Sequence, residues 1–316
     1  MLLFEPSIYN MTTQTIEIPF IDCKPPRWAS GLGQDAFGYY AEFSVFTGSQ
    51  YWKHVTQRMR WIPPGTFLMG AALGEPTDFG PETQHEVTLT QGFWLADSAC
   101  SQSLWFAITK KNPSQFQGDQ LPVEGVSFED VQSFLGDLNK LVPDASFALP
   151  TEAQWEYACR AGTQTPFSFG NTITTDQVNY DGNYRYGKSK KGECRQKTVD
   201  VKALPANAWG LYQMHGNVWE WCADWYADYS PEPQVDPTGP DTGSGGSGRV
   251  LRGGSWVSLA ANVRSAYRVA YDPGVRFVRL GFRLLSSARS SQSGAEQVSG
   301  SRASPRDEAA ENQRTQ

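Results

Sequence analysis

Five cysteines have the widest chemical range of any residues in this sequence, because a thiolate can bind a soft metal, act as a nucleophile or form a disulfide. They are Cys23, Cys100, Cys159, Cys194 and Cys222. No two form a C-x-x-C pair, and their number is odd, whereas disulfide frameworks and zinc ribbons need paired, regularly spaced cysteines. The spacing therefore favours buried free thiols.

Histidines and paired carboxylates are the next candidates for chemistry. The sequence has three histidines, and none stands in an H-x-x-H or H-E-x-x-H pattern. We interpret His85 and His215 as structural residues whose ring nitrogens are satisfied by hydrogen bonds. Asp224 and Asp228 flank Trp225, but two nearby carboxylates do not by themselves indicate acid–base catalysis.

The charge distribution restricts the partners. A net charge of −6 and a pI of about 5.2 give no general attraction for nucleic acid. The first ten residues contain Glu5 and no basic start, and no apolar stretch is long enough to span a bilayer, so we expect a cytoplasmic protein without membrane contact. We expect the late arginines to make mainly internal ion pairs, although a locally positive face is an alternative. These arginines are Arg249, Arg252, Arg264, Arg268, Arg276, Arg279 and Arg283.

Three helices must position these side chains. Ser127 is the predicted N-cap of a helix with apolar residues at i, i+3, i+4 and i+7 from Val131. Thr151 and Gln154 form a predicted capping box at the start of another helix. A third, shorter helix is predicted from Ser101.

The rest of the chain predicts short strands and long loops, which favours an α+β fold over a doubly wound sheet. Strands are expected at residues 86–89, 92–95, 250–251 and 282–284, with an N-terminal hairpin within 23–59. We predict three regions. They are an N-terminal extension (1–59), one continuous domain (60–284) and a disordered tail (285–316), which has almost no large apolar residue.

Several phrases resemble the formylglycine-generating-enzyme (sulfatase-modifying-factor) family, and they occur in the same order as in that family. They are WIPPGTFLMG (61–70), LPTEAQWEYA (149–158), GNVWEW (216–221), RGGSW (252–256) and GFR (281–283). The resemblance implies a C-type-lectin-like α+β fold with little regular secondary structure. Large aromatic rings would fill a core that long loops leave open.

The family's oxidase chemistry uses two cysteines shortly after the G-G-S-[YW] turn to bind Cu(I). In this chain Ser258 and Val263 stand near those positions, and no cysteine follows Cys222. A serine hydroxyl cannot replace a soft thiolate for Cu(I). We therefore expect no bound copper and no formylglycine-generating activity.

The resemblance also implies a structural Ca²⁺ site in the turn before W-E-W. Its ligands would be the Gln213 side chain, the Gly216 and Val218 carbonyls and the Glu220 carboxylate. Such oxygen donors suit a hard cation. A turn without metal is the alternative, because relatives often carry asparagine in place of Gln213.

The chain also resembles a subset of this fold family, the variable proteins of diversity-generating retroelements. In these proteins, mutation of adenines in AAY codons diversifies a ligand surface near the C-terminus. Their frame of GGSW, R-S-A-x-R, P, R and G-F-R-L matches residues 253–256, 264–268, Pro273, Arg276 and 281–284. Such mutagenesis cannot produce Lys, Glu, Gln, Met or Trp, and none of these occurs at the positions that would vary.

The predicted ligand surface consists of Trp256 and the fifteen positions that would vary. They are Val257, Ser258, Leu259, Ala261, Asn262, Tyr267, Val269, Ala270, Tyr271, Asp272, Gly274, Val275, Phe277, Val278 and Arg279. The ligand would be a protein or a small molecule. Two alternatives stay open: a metal-dependent oxidoreductase with a rearranged site, and a structural or regulatory module that binds through its tryptophan-rich face.

Overall fold

The regular structure of the described residues consists of short strands and three α-helices. The computed structural model describes residues 26–46, 54–75, 82–242 and 248–287. The strands are β1 (Gly31–Asp35), β2 (Gly38–Val45), β3 (Val55–Ile62), β4 (Gly65–Met69), β5 (His85–Leu89), β6 (Phe93–Ala96), β7 (Phe147–Ala148), β8 (Trp219–Trp225), β9 (Gln234–Val235), β10 (Arg249–Arg252), β11 (Arg268–Tyr271), β12 (Leu280–Gly281) and β13 (Leu285–Ser287). The helices are α1 (Gln102–Thr109), α2 (Phe128–Leu141) and α3 (Glu152–Arg160), with a 3-10 helix at Ala260–Val263.

The N-terminal hairpin belongs to the main sheet. Six strands are ordered β1-β2-β3-β6-β13-β7, with every neighbouring pair antiparallel. Phe43 of β2 packs on Phe147 with ring centroids 4.5 Å apart, and Trp28 packs edge-on against Trp94 at 6.0 Å. The boundary predicted at residue 59 is wrong, because it falls inside β3 and the hairpin shares the core of the following chain.

Two smaller sheets complete the fold. One has the order β11-β10-β8-β12, and three of its strands lie in residues 249–283, which we call the C-terminal segment. The other has the order β4-β5-β9. In the first, Arg252 of β10 is opposite Glu220 of β8 on one side and Arg268 of β11 on the other. This sheet therefore brings charged residues from three distant parts of the sequence side by side.

The three predicted helices are confirmed, together with their N-caps. The Ser101 side chain accepts a hydrogen bond from Leu104 N at the start of α1. Capping boxes open α2 at Ser127 and α3 at Thr151, satisfying backbone N–H groups that a helix end otherwise leaves free. Helix α3 is almost wholly buried, including Glu156 at 0% exposure, so its carboxylates need partners inside the protein.

The C-terminal end of the domain differs from the prediction. The strand expected at 282–284 is replaced by β12 and β13, while the Phe282 and Leu284 carbonyls accept hydrogen bonds from Cys100 N and Ala96 N. Residues 285–287 are not a disordered tail, because β13 pairs with both β6 and β7. The other predictions for residues 1–25 and 288–316 lie outside the described residues. Within the described ranges, no helix is both long and apolar enough to cross a membrane.

Candidate functional site

Helix α3 fixes the C-terminal segment through buried ion pairs. Arg268 Nε and Nη2 donate to Glu152 at 2.7 and 2.6 Å, and Arg252 Nη2 donates to Glu156. Burial alone raises the pKa of Glu156, but Arg160 and Arg252 hold that pKa below its usual value. Arg252 also donates to the carbonyls of residues 265, 266 and 267, at 2.7, 2.8 and 3.0 Å. The segment's backbone is therefore attached to the helix by charged side chains.

Two further arginines attach the same segment to other parts of the chain. Arg264 donates to Glu75 and Glu82, with all three N–O distances at 2.9 Å. Arg283 forms a two-point pair with Glu220, at 2.7 and 2.8 Å. The Arg264–Glu82 and Arg283–Glu220 pairs are buried, and removal of Glu220 would leave Arg283 as an uncompensated charge. The expectation of internal ion pairs is confirmed for these arginines.

Exposure divides the C-terminal segment into two sets of residues. Of the sixteen residues predicted to form the ligand surface, all except Tyr267 are partly or fully exposed. The most exposed apolar members are Val257 at 44%, Leu259 at 40% and Phe277 at 39%. Most of the residues that alternate with this set are buried, namely Ala260, Val263, Arg264, Ser265, Ala266 and Arg268. Pro273 is half-buried and Arg276 is exposed, so the division is sharpest up to Arg268.

The prediction for Tyr267 is wrong. Its side chain is 5% exposed and its ring lies 5.9 Å from that of Trp219, so it belongs to the core and not to a surface. Tyr267 immediately precedes β11, and its backbone carbonyl accepts a hydrogen bond from Arg252. The contact with Arg252 holds the backbone here, and the ring faces inward.

Aromatic side chains and a short turn shape the exposed set. Trp256 Nε1 donates to the Val278 carbonyl at 3.4 Å, which joins the two ends of the segment. The Trp256 ring also packs edge-on against Phe116, with centroids 5.6 Å apart. Tyr271 and Phe277 make a similar contact at 5.6 Å. Sequence reasoning missed Phe116, whose signal is a lone aromatic residue in an otherwise polar loop.

No cysteine stands at the two positions where the resemblance implies a copper-binding thiolate. Ser258 Oγ accepts a hydrogen bond from Ser255 N at 2.9 Å, and Val263 is fully buried. The thiol of Cys159 lies 3.7 Å from Ser265 Oγ, and burial raises its pKa to about 12. A thiol with that pKa is protonated at neutral pH, which makes it a poor nucleophile.

Both histidines named as candidates are hydrogen-bonded as expected. His215 Nδ1 lies 2.7 Å from the Val263 carbonyl, so Nδ1 carries the proton, and Nε2 accepts from Ser168 N at 3.1 Å. Burial lowers the pKa of His215 to about 4, which keeps the ring neutral. His85 Nδ1 lies 2.9 Å from the Thr83 carbonyl. In the described part of the chain, no three His, Cys, Asp or Glu side chains are grouped to hold a metal.

The predicted calcium ligands do not fit a calcium ion as a set. Gln213 Oε1 is buried without a hydrogen-bond partner among the described residues, which suits a ligand oxygen. However, both oxygens of Glu220 are taken by Arg283, and one also accepts from Trp155 Nε1 at 2.7 Å. With Gly216 and Val218 the set then offers neutral oxygens only, and no free carboxylate balances the ion's charge.

These features define the class of fold. In the described residues, a six-stranded sheet, two smaller sheets, three α-helices and long connecting loops make an α+β domain of the C-type-lectin-like kind, as the resemblance implied. Residues 48–288 match the sulfatase-modifying factor enzyme 1-like domain, and the chain belongs to that family.

The proteins that are similar to this chain include formylglycine-generating enzymes and a variable protein. The chain is 30% identical over 262 residues to a formylglycine-generating enzyme of Thermomonospora curvata, covering 77% of each protein. It is 38% identical over 208 residues to that of Mus musculus, covering 63% of this chain and about half (52%) of the mouse protein. Treponema denticola variable protein 1 superposes with a TM-score of 0.64 at 29% identity, covering 78% of this chain and 99% of that one.

Proposed function

We propose that this chain is a non-catalytic ligand-binding protein whose exposed side chains between Trp256 and Arg279 contact the ligand. One observation carries the proposal, namely the division of this segment into exposed residues and buried anchors. Arg252, Arg264, Arg268 and Arg283 are committed to buried glutamates, so exposed side chains between them can change without loosening the backbone. The likeness to the Treponema denticola variable protein supports the same reading.

The exposed residues suit a protein or small-molecule ligand. Trp256, Tyr271 and Phe277 offer large, stiff contact areas, which lose little conformational entropy on binding. The net charge of −6 supports such a ligand over nucleic acid. The free cysteines among the described residues support a cytoplasmic location.

The DNA around the gene provides the sharpest test. We expect a reverse-transcriptase gene and a near-identical repeat of the C-terminal coding region that differs only at adenines. The differences should fall in codons for exposed residues such as Val257, Leu259 and Phe277, and spare those of Arg264 and Arg268. Differences spread equally over the codons of exposed and buried residues, or the lack of any repeat, would contradict the proposal that this chain is a variable protein.

The alternative is a metal-dependent oxidoreductase with a rearranged site, which is favoured by 30% identity to a formylglycine-generating enzyme. Two measurements on purified protein separate it from a binder. The first is an assay for conversion of cysteine to formylglycine in a sulfatase-derived peptide, and the second is analysis for copper and iron. The binding proposal expects no conversion and no stoichiometric redox metal.

A further inference from the structure

Positive charge is concentrated in one loop beside the proposed ligand surface. This basic loop, residues 182–197, contains six lysines and arginines and a single acidic residue, Glu193, although the whole chain carries a net charge of −6. The six are Arg185, Lys188, Lys190, Lys191, Arg195 and Lys197. All except the half-buried Arg195 are exposed, so the loop presents a positive patch on an acidic protein.

The lysines of the basic loop and Arg185 have no carboxylate partner among the described residues. Within the described ranges, the salt bridge of this loop joins Arg195 Nη2 to Glu193 at 3.3 Å. The buried arginines of the C-terminal segment differ, because Arg252 and Arg264 are neutralised by glutamates. The exposed charges of the loop are therefore available to a partner.

The backbone of the basic loop is held in place by its own contacts. Gly192 N donates to the Gly182 carbonyl at 2.8 Å, and a Cβ atom at Gly182 would collide with the Glu193 carbonyl, so the two ends of the turn approach closely. Glu193 N donates to Thr175 Oγ1 at 3.2 Å, which fixes the turn to the preceding chain. A fixed backbone presents the basic side chains from defined positions and lowers the entropy lost on binding.

The basic loop adjoins the ligand surface through two contacts. Asp181, immediately before the loop, donates its backbone N–H to the Ser258 carbonyl at 3.0 Å. Tyr186 of the loop packs against the apolar cluster that contains Phe167 and the buried side of the 3-10 helix Ala260–Val263. The loop and the exposed residues around Ser258 therefore share one support.

Apolar and positive side chains lie next to each other along this border. Val257 and Leu259 are 44% and 40% exposed on the ligand surface, and Tyr184 of the loop is 55% exposed. Protein–protein interfaces combine an apolar centre with a polar rim, and charges at the rim select partners and raise association rates. The ligand surface with its adjoining loop has both parts.

We propose that the basic loop is the rim of the ligand surface, and that the ligand is a protein with an acidic patch beside an apolar one. The inference rests on the proposed function, because the apolar part of the contact is the ligand surface itself. Carboxylates of the ligand face the lysines of the loop, while its apolar side chains face Val257 and Leu259. Nucleic acid is a poorer match, since sites for phosphates are positive throughout and the rest of this chain is acidic.

The probe is a fluorescein-labelled peptide of glutamate and tyrosine residues, compared with the same peptide carrying glutamine in place of glutamate. Both are titrated with the full chain and followed by fluorescence anisotropy, and the glutamate peptide binds more tightly. Lys190→Gln combined with Lys191→Gln weakens its binding about fivefold, the effect of two exposed charge contacts. At about 0.5 M salt most of this loss disappears, because exposed charges are screened.

A matched double variant controls for the change in net charge. Arg27→Gln combined with Lys140→Gln also removes two exposed positive charges, outside the basic loop, and leaves the affinity unchanged. Three results would overturn the inference. They are equal binding of the two peptides, equal losses in the two double variants, and tighter binding of an oligothymidylate with as many negative charges as the glutamate peptide.

A further variant separates this inference from the proposed function. Leu259→Ser removes an exposed apolar side chain of the ligand surface and weakens binding of the glutamate peptide about threefold, as expected for partial burial of one leucine. An effect of Leu259→Ser without an effect of the lysine pair leaves the proposed function standing and overturns the basic loop as its rim. An effect of the lysine pair without an effect of Leu259→Ser contradicts the ligand surface, and with it the place of the loop as a rim.

Discussion

Replacing Asp224 with asparagine should make the protein more stable at alkaline pH and leave it nearly unchanged in acid. Burial, with a smaller contribution from Glu152, raises the pKa of Asp224 from 3.8 to about 7. An asparagine can keep the hydrogen bond that Asp224 accepts from Glu152 N, because its side-chain oxygen is also an acceptor. The substitution therefore removes mainly a charge.

The sign follows from which state binds the proton. Between the unfolded pKa of 3.8 and the folded pKa of about 7, the folded protein keeps the proton on Asp224 and the unfolded chain loses it. The unfolded state is then favoured as pH rises, so the wild-type free energy of unfolding falls through this range and levels off above it. At about 1.4 kcal/mol for each pH unit, the full loss is about 4 kcal/mol.

Urea unfolding of the wild-type protein and Asp224→Asn at several pH values measures this difference. From about pH 5 to pH 8, the stability advantage of the variant should grow by about 3 kcal/mol. The charged and titratable neighbours of Asp224 are Glu152, Arg268, Arg249 and Cys222, and they are the same in both proteins. A difference that is constant across this pH range would refute the reasoning.

Three further predictions concern the C-terminal segment. Val257→Ala should change the free energy of unfolding by less than about 0.5 kcal/mol, while Val263→Ala, at a fully buried position, should cost about 2 kcal/mol in urea unfolding. Glu220→Gln should cost about 3–5 kcal/mol, because it leaves Arg283 buried and unpaired, and a loss below about 1 kcal/mol would contradict this. Millimolar calcium added to chelator-treated protein should leave Tm unchanged, since Arg283 holds Glu220; a clear rise would restore the predicted calcium site.

Features that depend on neighbouring residues could be predicted from the sequence. The caps at Ser101, Ser127 and Thr151 follow from short-range patterns, and each helix begins where the pattern indicates. The N-terminal hairpin could be predicted. Its place in the six-stranded sheet could not, because it depends on the pairing of β2 with β3, which no local pattern indicates.

Features that depend on distant contacts could not be predicted. Charged residues are usually exposed, so no local pattern indicates that Glu156 is fully buried between Arg160 and Arg252. Tyr267 was predicted to be exposed because it is the variable position of the R-S-A-x-R frame, yet its side chain is buried against Trp219. The cavity of about 380 Å³ that Asp224 lines is formed by residues from five separate parts of the chain.

The arginine anchors have a consequence for how substitutions combine. Arg252, Arg264, Arg268 and Arg283 each connect the segment to a different carboxylate or backbone group, so the stretches between them are held separately. Side chains in different stretches that share no partner should change stability additively. A library built over the exposed positions would then keep most of its combinations folded, which makes the chain a scaffold for selecting new binders.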